Sequence, residues 1–477
     1  MPEAITTQRI YEKMYIDIAC GKYQNQEDLP SISNLCEHFS VGRNTMRSVL
    51  RKLEEDGFIK QEKGRNAWVI FDSRDPKYFR IFQEAMYGRF PALIEIFQVM
   101  EDIMPELIEE ALRNATAENI EEIKRRIQRL KTDTLASSYE LLDILMSIYL
   151  YAFSLLDNQH VIHLFTEMME FVTIIAPKET LRSSEVKRTV HFLGQMMSTI
   201  MEFVLRHEAK MMKKAVKIMI RSISKQVQRY IRNHVDDQIE FHPIPFRWMY
   251  HPDYLYQHIV IDILNDINLG KYEEKKDLPT FEQLAEQYHV SVRTSRKAID
   301  VLNRYHVVHT VNGVGSFICV DDKDKLEICR NDEILSHVKD YCEVLQLLRL
   351  CIRGIGVHYM QQWNKDQVED LILSMNEGIT PNLTPLMKCM FTQNSCLTSI
   401  YQEAVKDFSW HVYVQSIYPM NKDIYDFIEA FQLLEEELRG RKWSKAAQQI
   451  DEIMGQICKY TNEVYLYMKH QSTNESM

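Results

Sequence analysis

Glycine is scarce in this chain of 477 residues: 14 in all, or about 3% where about 7% is usual. Folds that rest on many tight turns or on glycine-rich phosphate loops are disfavoured, and helices are favoured. Positive charge is also in deficit. Lys and Arg number 57 against 68 Asp and Glu, a formal net charge of −11, so a nucleic acid would have to meet a local basic surface. Cys-x-x-Cys pairs are missing: the nine cysteines are odd in number and scattered. They read as reduced thiols, and with no charged and apolar leader at the N-terminus they point to a cytoplasmic setting. Long apolar runs are missing too. The longest, Ile144 to Leu156 between Asp143 and Asp157, is well short of the roughly 20 residues that span a bilayer, and predicts a buried helix with no membrane partner. There is no Gly-x-Ser-x-Gly, no Walker loop, no His-Glu-x-x-His and no substantial α/β segment, so no catalytic residue is assigned and the chain reads as a non-enzyme.

What the chain does have is a repeat. Gly21-Lys22-Tyr23 recurs as Gly270-Lys271-Tyr272, and at the same offset of 249 residues Asp28-Leu29-Pro30 recurs as Asp277-Leu278-Pro279. Without a gap, Ile10 returns as Ile259, Asp17 as Asp266, Leu35 as Leu284, Val41 as Val290, Thr45 as Thr294, Arg47 as Arg296, Leu53 as Leu302 and Gly64 as Gly313. Chance does not keep such a register. The chain is therefore two halves, each an opening unit followed by a longer stretch of another kind.

Both opening units read alike. An apolar-periodic helix ends at Gly21 or Gly270, each suited to a left-handed C-terminal position. After the Leu-Pro loop, Ser31 or Thr280 can cap a short helix through Phe39 or Tyr288. A sharp turn at Val41 or Val290 starts a second, basic helix. Two β-like runs close the unit, Phe58 to Gln61 with Ala67 to Phe71, and Val307 to Val311 with Ser316 to Val320. Helix, helix-turn-helix and hairpin describe a winged helix-turn-helix, whose second paired helix can enter a major groove while the hairpin tip reaches the neighbouring minor groove.

The stretch Leu29-Pro30-Ser31, Val41-Gly42-Arg43-Asn44-Thr45-Met46-Arg47 and Leu53-Glu54-Glu55-Asp56-Gly57-Phe58-Ile59 resembles the DNA-binding domain of GntR-type bacterial transcriptional regulators, and so does its second copy. The resemblance covers both opening units and implies binding of double-stranded DNA. Where the family's recognition helix opens Ser-Arg-Thr-Thr, the first copy keeps the arginine as Arg43, whereas the second has Val292 there and Arg293 one residue on. The family's first-helix arginine is Asn34 in one copy and Gln283 in the other, and the wing's second glycine is Gly315 in one and Asn66 in the other. The DNA-contacting set expected from the first copy is Arg43, Asn44, Thr45, Arg47, Lys63, Gly64 and Arg65. From the second it is Ser291, Arg293, Thr294, Arg296, Lys297, Gly313 and Gly315. Arginine suits guanine edges, and threonine or lysine suits phosphates.

Residues 76–235 and 328–470 carry apolar residues at helical spacing, as in Leu107-Ile108-Ala111 and Phe427-Ala430-Leu433-Leu434. Helical domains of this size after a GntR-type domain resemble the fatty-acid-regulator subclass, which implies a small-molecule effector and, in many members, a metal. The stretches ending at Asn158 and Asn394 carry that likeness. Where metal-bearing forms place Phe-His, this chain has Ile148-Tyr149, so no metal and no cofactor is expected. His160 and His163 could share a helix face as ligands, but with no carboxylate or third histidine at ligand spacing they read instead as polar residues at a helix start. Met196, Met197, Met201, Met211, Met212 and Met219 could line an effector pocket or fill the core. The basic run Lys210 to Arg229 reads as a solvated face balancing Glu101 to Glu110 and Glu118 to Glu122. The connector His242-Pro243-Ile244-Pro245-Phe246-Arg247-Trp248 is aromatic and predicts packing.

The expected fold is mainly α with small β-wings: a winged unit over 1–72, a helical domain over 76–235, a connector with a second winged unit over 236–322, and a second helical domain over 328–470. The expected function is an effector-responsive DNA-binding regulator acting as an intrachain pseudo-dimer, with a homo-oligomer left open. A protein-interaction scaffold with degenerate winged units is the alternative.

Overall fold

A serine and a threonine at equivalent places start the two helix-turn-helix units. In the first unit, helix α1 (Pro2–Ala19) is followed by α2 (Ile32–His38), where the Ser31 hydroxyl accepts from the Asn34 amide, and then by α3 (Arg43–Glu55). The computed structural model describes residues 2–19, 22–39, 41–72, 75–76, 87–132, 138–172, 184–234, 242–251, 254–269, 271–272, 277–319, 325–377, 382–417 and 424–473. The two expected helix-ending glycines, Gly21 and Gly270, lie outside the described residues. Strands β1 (Ile59–Lys60) and β2 (Trp68–Val69) form the wing, antiparallel, with Ile59 opposite Val69.

The first helical segment holds α4 (Phe90–Leu112), α5 (Ala117–Thr132), α6 (Ser138–Ser154), α7 (Gln159–Val172), α8 (Ser184–Leu205) and α9 (Ala209–His234). In the second winged unit, α10 (Leu255–Asn268) precedes α11 (Phe281–Gln287) and α12 (Val292–Arg304), and β3 (Val308–Val311) pairs with β4 (Gly315–Ile318). Val308 lies opposite Ile318, the same register as in the first wing moved by 249 residues. A single bridge adds Asp28 to Trp68 in one copy and Asp277 to Phe317 in the other.

The second helical segment follows as α13 (Lys325–Arg330), α14 (Asp332–Met360), α15 (Lys365–Met375), α16 (Thr384–Phe391) and α17 (Ser395–Ala404). A 3₁₀ turn (Val405–Trp410) leads to α18 (His411–Ile417), α19 (Ile424–Arg439) and α20 (Trp443–Thr473). No described helix is long and apolar enough to cross a membrane. Asn158 and Asn394 cap α7 and α17, their side-chain oxygens accepting the amides of Val161 and of Cys396 and Leu397.

Two apolar cores result. One is confined to the first winged unit, around Met14, Met46, Leu50 and Val69. The other runs unbroken from α4 through the second winged unit to α20. The first winged unit meets the larger body through Lys13 on Glu167 at 2.5 Å and Lys22 on Glu170 at 3.6 Å. The second is held more firmly: the Tyr413 hydroxyl donates to the Tyr305 carbonyl at 2.8 Å, and the Tyr305 hydroxyl lies 3.1 Å from His337 Nε2. Helix α14 packs along α4, joining the halves, and Arg353 bonds Glu110 at 2.9 Å across that contact.

The connector packs as expected. Phe246 and Trp248 are buried; the Trp248 amide donates to Ser399 Oγ at 2.8 Å and its indole N–H to His163 Nδ1 at 3.0 Å.

Candidate nucleic-acid interface

Each recognition helix turns one face inward and leaves the rest to solvent. In α3 the inward set is Met46, Val49, Leu50 and Leu53; in α12 it is Ser295, Ala298, Ile299, Val301 and Leu302. Helical geometry then sends Arg43, Asn44 and Arg47 outward in the first copy and Arg293, Arg296 and Lys297 outward in the second, and all six are exposed. Thr45 and Thr294 are half-buried at the helix starts. The starts differ. Gly42 caps α3 with backbone alone, whereas Ser291 accepts the Thr294 amide in α12. Where the family has a first-helix arginine, Asn34 and Gln283 occupy the third position of their helices. There Gln283 completes a capping box with Thr280, and Asn34 Oδ1 accepts from the Ser31 hydroxyl at 2.9 Å.

The first wing folds back toward its recognition helix. Between them lies a groove of about 410 Å³ lined by Ser31, Ser33, Arg43, Arg47, Gly64 and Arg65, so four of the seven residues expected from the first copy are brought to one surface. Arg43 donates to Ser33 Oγ at 3.0 Å. Arg65 lies 4.4 Å over the Trp68 ring and bonds Asp28 at 2.8 Å. Asp28, which the sequence offered only as a repeat marker, is thus a built-in competitor for the phosphate that Arg65 would meet. Lys63 is exposed beside it, and Gly64 takes a φ of +89°, a left-handed value that suits glycine. The second wing repeats the turn, with Gly313 at +77° and Gly315 exposed, but not the charge. Asn312 and Val314 stand where Lys63 and Arg65 do, and Val314 is 72% exposed. Lys297 lies 3.8 Å over the Tyr256 ring and Arg296 5.2 Å over Phe281, which orders both cations on the outer surface.

The model of the "Bacterial regulatory proteins, gntR family" matches residues 6–69 and again 255–318. This chain carries two winged helix-turn-helix domains of the GntR family. That family is one of DNA-binding transcriptional regulators and not of enzymes. Three solved structures are similar. The chain in "Lar controls the expression of the Listeria monocytogenes agr system and mediates virulence" is 16% identical, over 47% of this chain and 96% of that one, with a TM-score of 0.27. Streptococcus agalactiae GntR is 15% identical over 47% and 100%, with a TM-score of 0.24, and E. coli McbR/YncC is 18% identical over 44% and 99%, with a TM-score of 0.21. No curated protein sequence matches the chain.

Outside the two GntR domains, part of the basic helix is engaged with acidic neighbours. On α9, Lys213 bonds Glu106 at 2.7 Å, Lys217 bonds Asp102 at 3.3 Å, and Arg221 bonds Glu101, all on α4. The expected balance with Glu101 to Glu110 is therefore made, while Glu121 and Glu122 pair within their own helix with Lys124 and Arg126. Met197, Met201, Met212 and Met219 are core, and Met211 is exposed. Tyr149 packs 5.0 Å from Phe165.

His160 stands at a helix start, as expected, and has tertiary partners besides. It is the second residue of α7 but has no exposed surface, and its ring stacks on Tyr250 at 3.8 Å. Burial opposes its charged form, yet hydrogen bonds with Asp407 and Glu343 outweigh this and lift its pKa to about 9. His163 does not join it but accepts from Trp248. The partners of His160 come from the second half, beyond the reach of any local spacing.

Proposed function

We propose that this chain is a sequence-specific transcriptional regulator in which one polypeptide supplies two unlike DNA readers, acting as an intrachain pseudo-dimer. The observation that carries this reading is the pair of GntR domains in one chain, with helix boundaries and wing register repeated at a constant offset. Where two-fold regulators use identical subunits on a palindrome, two different recognition helices suit an asymmetric operator. The DNA-contacting residues are those expected above, led by Arg43 and Arg47 in the first groove.

The domain division at 1–72, 76–235, 236–322 and 328–470 gives each reader a helical partner, in the manner of the fatty-acid-regulator subclass. Support for a fixed arrangement of the halves comes from α4 on α14 and from the buried Trp248. Effector response is supported by a cavity of about 450 Å³ where the halves meet, lined among others by Asp157, Lys339, Gln346, Arg349, Arg353 and Lys459. Its size is that of a small-molecule site, and its charged lining favours a polar, ionic effector. Such a ligand shifts the spacing of the readers only if it binds the two arrangements with different affinity.

One observation favours a second reading for the second GntR domain alone: Val292, Val311 and Val314 are exposed on its helix and wing, a surface that suits a protein partner. Selection of bound duplexes from a random pool, followed by binding at several salt concentrations, tests both. A regulator enriches one asymmetric site, binds as one chain per duplex and loses affinity steeply with salt. Failure to enrich any site leaves the scaffold reading.

A further inference from the structure

Four parts of the chain converge on one buried cluster where the halves meet. His160 comes from α7, His251 from the end of the connector, Asp340 and Glu343 from α14, and Asp407 from the 3₁₀ turn. His160 and Asp407 have no exposed surface. The Nδ1 of His160 lies 3.3 Å from Glu343 Oε2, and its Nε2 lies 3.2 Å from Asp407 Oδ2, which also faces His251 Nε2 at 2.8 Å.

An imidazolium donates from both ring nitrogens, whereas a neutral imidazole has one N–H and one lone pair, so the two carboxylates facing His160 are matched either by a proton or by a metal ion at Nε2. With Nδ1–H given to Glu343, the Nε2 lone pair of the neutral ring is free to take a metal ion that Asp407 also meets. Asp407 Oδ1, moreover, is buried with no hydrogen-bond partner, a costly state for a carboxylate oxygen. Charge points the same way: Asp340, Glu343 and Asp407 gather about His160 and His251, and among the described lysines Lys339 reaches the cluster at Glu343 Oε1, 3.3 Å away.

We propose that His160, His251 and Asp407 are the protein ligands of a divalent transition metal of the zinc class, with Glu343 holding the His160 ring through its other nitrogen. In a tetrahedral site with bonds of about 2.0 Å, neighbouring ligand atoms stand about 3.3 Å apart. The three ligand atoms here already lie within 4.8 Å of one another. A carboxylate on the far nitrogen of a ligating histidine fixes its tautomer and strengthens it as a ligand, and Glu343 is itself anchored by Lys339 and by the Gln159 amide at 2.7 Å. The fourth position is open to water or to the orphaned Oδ1. Because the ligands come from the first helical segment, the connector and the second segment, a bound ion ties the halves together and stabilises the joined state by mass action. The site does not include Tyr149.

The test uses the full-length protein, stripped with a chelator and titrated with Co²⁺ and then Zn²⁺. The expected result is one equivalent of Co²⁺ with a visible d–d band, displacement by Zn²⁺, and a rise in Tm with either ion. His251→Ala, at the cluster's exposed rim, should bind at least tenfold more weakly with its helical circular dichroism intact. His251→Gln keeps a donor for Asp407 but is a poor ligand, so it should stay folded and also lose the ion. His242→Ala, an exposed histidine of the same connector, should bind as the parent does. The proposal is overturned if the parent shows neither band nor Tm shift, in which case protons alone bridge the carboxylates, or if both His251 variants bind as tightly as the parent.

Discussion

Gly354 lies against the backbone of Asp102: a Cβ at position 354 would stand 2.3 Å from the Asp102 carbonyl oxygen and 2.7 Å from its carbon. The contact joins α14 to α4 and is surrounded by Lys217 at 3.3 Å and His358 at 3.2 Å on the Asp102 carboxylate. Backbone cannot swing aside as a side chain can. Gly354→Ala should therefore destabilise the chain by about 1–3 kcal/mol, the usual cost of overpacking, despite alanine's better helix propensity. Gly356, two residues on, would meet only side-chain atoms at 3.7 Å or more. Gly356→Ala should be neutral or stabilise by up to about 1 kcal/mol. Thermal unfolding of both variants checks the opposite signs; equal behaviour would deny the close helix contact.

Arg65 and Asp28 set the electrostatics of the first wing. Both are about half exposed and 2.8 Å apart, so the pair adds little to stability but holds the guanidinium away from an incoming phosphate. Asp28→Asn should strengthen binding to all duplexes alike, with no change in preference. Arg65→Ala should weaken all duplexes and lower the slope of log affinity against log salt by about 1. Duplex titrations over a range of salt read both; a change of sequence preference in either variant would place Arg65 on a base edge instead.

Much of this was legible because it is local. Ser31 and Thr280 cap the helices they precede in sequence, and the wing register follows from runs only a few residues apart. The partners of α9 were legible in kind, since a basic face needs acidic neighbours, although the pairing of Lys213 with Glu106 and not with Glu122 depends on which helix lies beneath. The junction was not legible. His160 and Asp407 meet across 247 positions, and nothing near either residue announces the other. The same holds for Gly354, whose close approach to Asp102 depends on a crossing that no periodicity encodes. The helix spacing of His160 and His163 says nothing of the tertiary partners that His160 finds.

Trp248 should be the most sensitive residue of the connector. Its side chain is 1% exposed, and truncation would open a cavity and leave His163 without the indole donor. Trp248→Ala should cost about 3–5 kcal/mol and make the segment between the halves readily cut by protease, where the parent resists. Release of two stable halves from the parent itself would contradict the packed connector.

The two GntR domains should contribute unequally to sequence reading. Arg43 lies in the groove between helix and wing, whereas the equivalent Val292 is apolar and 38% exposed. Arg293, one residue on, is turned about 100° around the helix, so it cannot reach the base edge that Arg43 reaches and is placed for a neighbouring step or a phosphate. Loss of a bidentate arginine–guanine contact costs about 1–3 kcal/mol at one position, whereas loss of a phosphate contact weakens all sequences alike. Arg43→Ala should therefore lower affinity for the selected operator more than for scrambled duplex, and Arg293→Ala should do so less. The wings point the same way, since Asn312 and Val314 replace the cations Lys63 and Arg65. Installing arginine by Val314→Arg should raise affinity without changing the preferred site. Competition binding with the selected and scrambled duplexes measures each ratio. Equal loss of preference from Arg43→Ala and Arg293→Ala would show two equivalent readers, and no loss from either would move the function from DNA to a protein partner.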